Sequence, residues 1–216
     1  MFKNLFHKRS LIWEVLRKTI HLSGLLIVLA YTLLLYYFSM QVAILALTAL
    51  LLLQLEIEYM RLEHMPEITK MFGGMVRKHE RNGLAASVFL VISCIICFSA
   101  FDYWIALVAM FMAVFGDFFA ALMGRFFGKT KILKNKTIIG TLSGFAANAL
   151  VGLFVLSGLP LLAIAMAFTA SLVELLTGKL DDNLTVPLFA GFAGQMLVYL
   201  FNIHLPPLVF TLPGIF

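Results

Sequence analysis

Residues 116–141 read GDFFAALMGRFFGKTKILKNKTIIGT, an apolar run holding a carboxylate that gives way to a lysine-rich connector and then to a second apolar run. Asp117, Ala121, Gly124 and Gly128 recur at i, i+4, i+7 and i+11, so one helical stripe carries an acid and then almost no side chains. A carboxylate in hydrocarbon costs roughly 2.5–3.5 kcal/mol on insertion scales, which makes Asp117 a functional candidate by default. Lys129, Lys131, Lys134 and Lys136 follow at once, and Gly140 closes the segment. An anionic, phosphorylated ligand would be at home there. The plainer reading of the glycines and lysines is a close helix contact followed by a basic loop at a membrane surface.

The rest of the chain is of the same kind. Of its 216 residues 62% are hydrophobic and 12% charged, which excludes an ordinary soluble domain and predicts an integral membrane protein. Seven apolar segments can be drawn: Ile20 to Phe38, Gln41 to Ile57, Leu84 to Phe101, Tyr103 to Gly124, Gly140 to Ser157, Leu159 to Thr177, and Leu184 to Ile203. Each is near the roughly 20 residues that cross about 30 Å of hydrocarbon, the second being the shortest. With these spans all 16 lysines and arginines share one face, cytoplasmic by the positive-inside rule. The expectation is an all-α, polytopic membrane helical bundle of about seven transmembrane helices. It forms a single integral membrane domain over residues 1–216, with a cytoplasmic N-terminus and the C-terminus outside.

The net charge of +5 does not point to nucleic acid, because the basic residues are dispersed among membrane-flanking loops with no soluble module to present them. Lys3, Lys8 and Arg9 precede an apolar stretch that is long for a signal peptide and lacks a small-residue cleavage site, so the first helix is expected to be retained. Cys94 and Cys97 form a C-x-x-C pair inside the third span, where packing is the expected role. Two cytoplasmic connections are long. From Arg61 to Asn82, Pro66 suits a helix start and Met65, Ile68, Phe72, Met75 and His79 form one face, while Lys70, Arg77 and Arg81 form another that would meet lipid headgroups or a nucleotide. The connector from Arg125 to Thr137 is too short for a domain yet long enough to fold over a ligand.

Asp117 lies fifteen residues past Asp102, roughly 22 Å along a helix axis, which puts it in the cytoplasmic third of its span. Glu174, one turn before Gly178, reaches a similar depth on another helix, and Asp181, Asp182 and Asn183 follow at the next cytoplasmic turn. Helix capping by Asp182 or Asn183, with Pro187 tolerated near the helix start, is the structural alternative. Capping does not account for Glu174 and Asp117 at the same level. Oxygen ligands of this kind suit Mg²⁺ or a similar divalent cation, held by one or two carboxylates plus substrate phosphates. Gly140 and Thr141 open the fifth helix, whose N-terminal amides would receive a phosphate. No Walker sequence is present. The pattern fits phosphoryl or nucleotidyl transfer, in which the protein positions groups and stabilises spreading charge.

On these residues the chain resembles the CTP-dependent lipid-alcohol kinases, comprising dolichol kinase, phytol kinase and the CTP-type diacylglycerol kinases. Gly116-Asp117 with Ala120, Ala121, Gly124, Gly128 and Lys131 is similar to the family's nucleotide-binding segment, and Lys136, Thr137, Gly140 and Thr141 to its continuation. Asp182, Asn183, Leu184 and Pro187, preceded by Glu174, resemble its later acidic motif. Arg17, Lys18, His21 and Gly24 resemble its N-terminal signature, and His79-Glu80 with Gly83 a weaker one. The first motif is shared with phosphatidate cytidylyltransferases. Relatives commonly carry an acid just before the glycine of the lysine segment, where this chain has Ile139. The length suits the small phytol and diacylglycerol kinase types.

The resemblance implies transfer of the γ-phosphoryl group of CTP to the hydroxyl of a lipid alcohol, a phytol or prenol, a polyprenol or diacylglycerol, at the cytoplasmic face. Asp117, Glu174 and Asp182 would be catalytic. Asp117 would bind metal or activate the hydroxyl, and Glu174, Asp181 and Asp182 would complete the metal set. Gly124, Gly128, Lys129, Lys131, Lys136, Thr137, Gly140, Thr141 and Asn183 would bind the nucleotide. Arg17, Lys18, His21, Arg77 and Glu80 would contact substrate or phosphate, a juxtamembrane anchor being the other reading of Arg17 and Lys18. The alternatives are a CTP-dependent cytidylyltransferase of the phosphatidate type and, further off, a small transporter, whose carboxylates would line a path through the bundle.

Overall fold

The computed structural model describes residues 22, 24–63, 83–133, 136–178 and 180–208. Among them are seven α-helices and one two-stranded hairpin. These are α1 Gly24–Tyr37, α2 Met40–Glu63, α3 Ala86–Ala100, α4 Tyr103–Phe127, β1 Lys131–Leu133, β2 Lys136–Thr137, α5 Ile138–Val155, α6 Pro160–Leu176 and α7 Asp182–Leu200. Four of the helices, α2, α4, α5 and α7, are long and apolar enough to cross a membrane, while α1, α3 and α6 are apolar but shorter.

Helix α4 is the central post, packed on α5, α6 and α7 on one side and on α1 and α3 on the other. Two apolar cores result. One joins Ile105, Val108 and Met112 of α4 to Leu162, Met166 and Ala170 of α6 and Val186, Ala190 and Val198 of α7. The other joins Val28 and Tyr31 of α1 to Ala43 and Leu47 of α2, Cys94, Cys97 and Phe98 of α3 and Met110 of α4. Tyr31 stacks on Phe98 with ring centroids 4.1 Å apart. Cys94 and Cys97 are buried free thiols that fill this second core, in keeping with a packing role.

The seam between α4 and α5 is made of glycine. A Cβ on Gly140 would lie 2.8 Å from the Ala120 carbonyl oxygen and 3.1 Å from the Gly124 Cα, so the two backbones cross with nothing between them. At the opposite end of α4, the Gln195 amide of α7 brackets Asp102. Its Nε2 donates to Asp102 Oδ2 and its Oε1 accepts from the Asp102 N–H, both at 2.8 Å.

Several boundaries differ from the sequence expectation for identifiable reasons. The second span, read as the shortest, becomes the 24-residue α2. It continues past Ile57 because Glu58 and Arg61 satisfy one another at 2.5 Å, while Arg61 Nη2 donates to the Gly83 carbonyl at 2.7 Å and Glu58 Oε2 accepts from the Ala85 N–H at 3.1 Å. Helix α4 runs three residues beyond Gly124, to Phe127, because that glycine sits against α5 instead of ending the turn. Helix α5 starts at Ile138, two residues before Gly140, because Thr137 caps it. The connector is a β-hairpin, with Lys131 opposite Thr137 and Leu133 opposite Lys136. The surface face drawn on Met65 to Arg81 lies outside the described residues.

Candidate functional site

Four elements converge where α6 ends and α7 begins. Helix α4 supplies Asp117 (9% exposed), α6 supplies Glu174 (6%), α7 supplies Asp182, and β2 supplies Lys136. The Lys136 ammonium donates to Glu174 Oε1 at 3.0 Å. Burial by itself would lower the Lys136 pKa, but the Glu174 carboxylate beside it, their hydrogen bond, and the fields of Asp182 and Asp117 outweigh that and hold it above the ordinary lysine value. Lys136 is therefore held in its charged form, paired with Glu174 in the field of Asp182 and Asp117. One oxygen, Asp182 Oδ1, is buried with no hydrogen-bond partner among the described residues. A desolvated acceptor of that kind is costly unless it receives a proton donor or a cation.

Small residues make room for the cluster. A Cβ on Gly144 of α5 would stand 3.6 Å from Glu174 Oε2 and 3.3 Å from the Gly116 carbonyl, so the missing side chain leaves space beside the carboxylate. Helix α4 continues ten residues past Asp117, roughly 15 Å. It thus projects about two to three turns beyond the level at which α6 stops, and the hairpin folds back from that projection to deliver Lys136.

Thr137 Oγ1 accepts from the Gly140 N–H at 3.1 Å, so that amide is already taken by a cap rather than open to a phosphate. Gly124, Gly128 and Gly140 serve backbone contact, a Cβ on Gly128 colliding with the Gly124 carbonyl and Thr137. Asp181 turns out to be the cap of α7 in place of Asp182 or Asn183. Its Oδ1 accepts from the Asn183 N–H at 2.9 Å and from the Asn183 Nδ2 at 2.6 Å. Asn183, 3% exposed, is thereby bound to Asp181. Thr185 braces the same turn through the Asp181 carbonyl and Thr177, each at 3.2 Å. Lys129 and Lys131 stand exposed on the hairpin, and among the described residues no ion pair joins either to the acids. Thr141 lies one residue along α5 from Gly140, and Ile139 is 39% exposed on the same first turn. Gly24 packs where a Cβ would strike Leu90. Arg17, Lys18, His21, Arg77 and Glu80 lie outside the described residues.

Two residues that sequence reasoning passed over extend the polar track inward. Asn148 of α5 is fully buried, sits in the space that Gly116 leaves open, and its Nδ2 donates to Ser171 Oγ at 3.1 Å. Ser171 is three residues before Glu174 on α6. The available signal was a lone asparagine in an apolar helix, flanked one turn either side by Gly144 and Gly152.

Among the described residues no group of three or more His, Cys, Asp or Glu side chains is arranged to hold a metal ion. Among the described residues it is the Lys136 ammonium that stands against Glu174. Comparison of the chain with protein-family models, with curated proteins and with solved structures gives no match.

Proposed function

We propose that this chain is an integral membrane lipid kinase that transfers the γ-phosphoryl group of CTP to the hydroxyl of a lipid alcohol. In this reading all seven helices cross the bilayer, the N-terminus and the acidic site face the cytoplasm, and the alcohol's tail stays between helices while its hydroxyl reaches the interface. The convergence of Asp117, Glu174 and Asp182 on Lys136 is the observation that carries it. Carboxylates from three separate helices around a half-buried ammonium have no structural need to meet in an apolar bundle, and such groups mark chemistry. The choice of CTP rests on the resemblance.

The donor set suits a divalent cation that arrives with its phosphates better than one held by protein alone. Mg²⁺ takes one or two carboxylates plus phosphate oxygens, and Asp182, with its unpartnered buried Oδ1, and Asp117 would be those carboxylates. Bound there, the ion would neutralise phosphate charge. Lys136 would move from Glu174 to a phosphate oxygen, and Glu174, released, would accept the hydrogen bond or the proton of the attacking hydroxyl. Asp181 and Asn183 support the turn rather than the ligand. The experiment is the purified protein in lipid nanodiscs with Mg²⁺, a panel of lipid alcohols, and CTP labelled at the γ or the α phosphate. Lipid carrying only the γ label is expected. Lipid carrying the α label would make the protein a cytidylyltransferase, and no labelled lipid with any alcohol would end the proposal.

A further inference from the structure

We infer that β1 and the end of α4 form a docking surface for the anionic headgroups of the bilayer itself, and that this contact sets the position of Lys136. The inference rests on the membrane-embedded reading of the chain and not on the kinase reading. No aspartate or glutamate occurs between Asp117 and Glu174, while Arg125, Lys129, Lys131, Lys134 and Lys136 all do. The structure separates these cations. Lys136 turns inward to Glu174, whereas Lys129 and Lys131 are exposed.

Exposed apolar side chains flank and alternate with these lysines along the same segment. Phe126 is 54% exposed, Phe127 61%, and Ile132 and Leu133 each 45%. A segment bathed in water would not expose two phenylalanines at the end of α4 and two aliphatic groups on β1 beside its lysines, and a soluble phosphate would need the lysines but not the apolar groups. Headgroups at the rim of a bilayer use both, with ammonium groups on phosphates and apolar groups at the acyl boundary. The surface is continuous with α4, one of the helices able to cross a membrane. It is also wired to the site: Lys131 pairs with Thr137 and Leu133 with Lys136, so a shift of β1 displaces the strand that carries the Lys136 ammonium.

The test uses a fluorophore at Ile132→Cys. Cys94 and Cys97 are buried, so labelling is selective. The labelled protein is placed in nanodiscs of phosphatidylcholine alone or with phosphatidylglycerol, without nucleotide, and quenching by neutral acrylamide is measured. Phosphatidylglycerol is expected to lower the quenching constant about twofold or more, and Lys129→Glu with Lys131→Glu to abolish that difference. A reference label at Leu150→Cys, 70% exposed on α5, stays protected whenever the bundle is intact. If the charge-reversed protein loses that protection, Lys129→Gln with Lys131→Gln is read in its place. Equal quenching in the two bilayers, or a lipid effect that survives loss of both charges, overturns the inference. So does equal protection in pure phosphatidylcholine on adding inorganic phosphate, which would assign the lysines to a soluble anion. Labelled-CTP transfer is not a readout here, so failure of the kinase reading leaves the result standing.

Discussion

Replacing Lys136 by methionine keeps the aliphatic stem and removes the ammonium. Glu174, whose side chain is 8% exposed, then loses its 3.0 Å partner while Asp117 and Asp182 remain nearby. Removing one member of a buried ion pair costs about 3–5 kcal/mol because the other charge is left uncompensated. The Lys136 side chain is 33% exposed, so water screens part of the attraction and the lower figure applies, about 3 kcal/mol. For a chain of this size that is a fall in Tm of about 6–12 °C, read from tryptophan fluorescence during heating in detergent. Adding Glu174→Gln to the variant removes the orphaned charge and is expected to restore about 2 kcal/mol, an interaction visible only in the double-mutant cycle. Alkaline pH supplies a second reading. Because the folded pKa of Lys136 is raised above 10.5, its contribution is complete at pH values below 10.5 and is lost as pH rises through the folded value. The wild type should therefore lose an increment of stability at high pH that Lys136→Met lacks. A Tm within about 1 °C of wild type, or strictly additive effects in the cycle, would refute the account of a buried pair.

Other outcomes follow from the same contacts. Asp182→Asn and Asp117→Asn should each lower γ-phosphoryl transfer about 100-fold or more, and Asp182→Asn, whose buried Oδ1 has no hydrogen-bond partner among the described residues, should do so with little change in Tm. Asp181→Ala should do the reverse, costing about 1 kcal/mol of stability through the lost cap of α7 while transfer stays within a few-fold of wild type. Gly140→Ala should cost about 1–3 kcal/mol, because the added methyl meets backbone of α4 that cannot swing aside, and thermal unfolding checks it. Arg61→Met should cost about 3 kcal/mol by removing the guanidinium from Glu58, detected as a lower Tm while the alkaline loss of stability assigned to Lys136 is kept.

Helix order was plain from hydropathy, because each apolar run becomes one helix and every connector but the Phe38-Ser39 turn holds a charge or a glycine. The meeting of Asp117, Glu174 and Asp182 was also legible, since depth along a helix follows from residue count and each acid lies close to a connector of the same parity. What escaped was whatever depends on one side chain satisfying another far off in sequence. Glu58 read as the end of a span because its local pair with Arg61, three residues on, is completed only by the distant backbone of Gly83 and Ala85 just before α3. The hairpin escaped because its strands are only three and two residues long and two of those five residues are lysine. Gly124 and Gly140 looked like ligand cradles, and only the crossing of α4 over α5 shows that each is needed by the other's backbone. Asp181, Asp182 and Asn183 were equivalent as letters, and the turn geometry decided which of them caps.

Helix α4 is held at one end by the two-pronged clasp of Gln195 on Asp102 and farther along by the glycine crossing with α5. A rod fastened at two points has little freedom to slide or tilt, so Asp117 keeps its station whether or not anything is bound. If the acidic cluster takes a ligand as proposed, the part left to move is the short hairpin that carries Lys136, while α4 stays put. A helix so fixed loses almost no disorder when the site is occupied, and tight capture is correspondingly cheap in entropy.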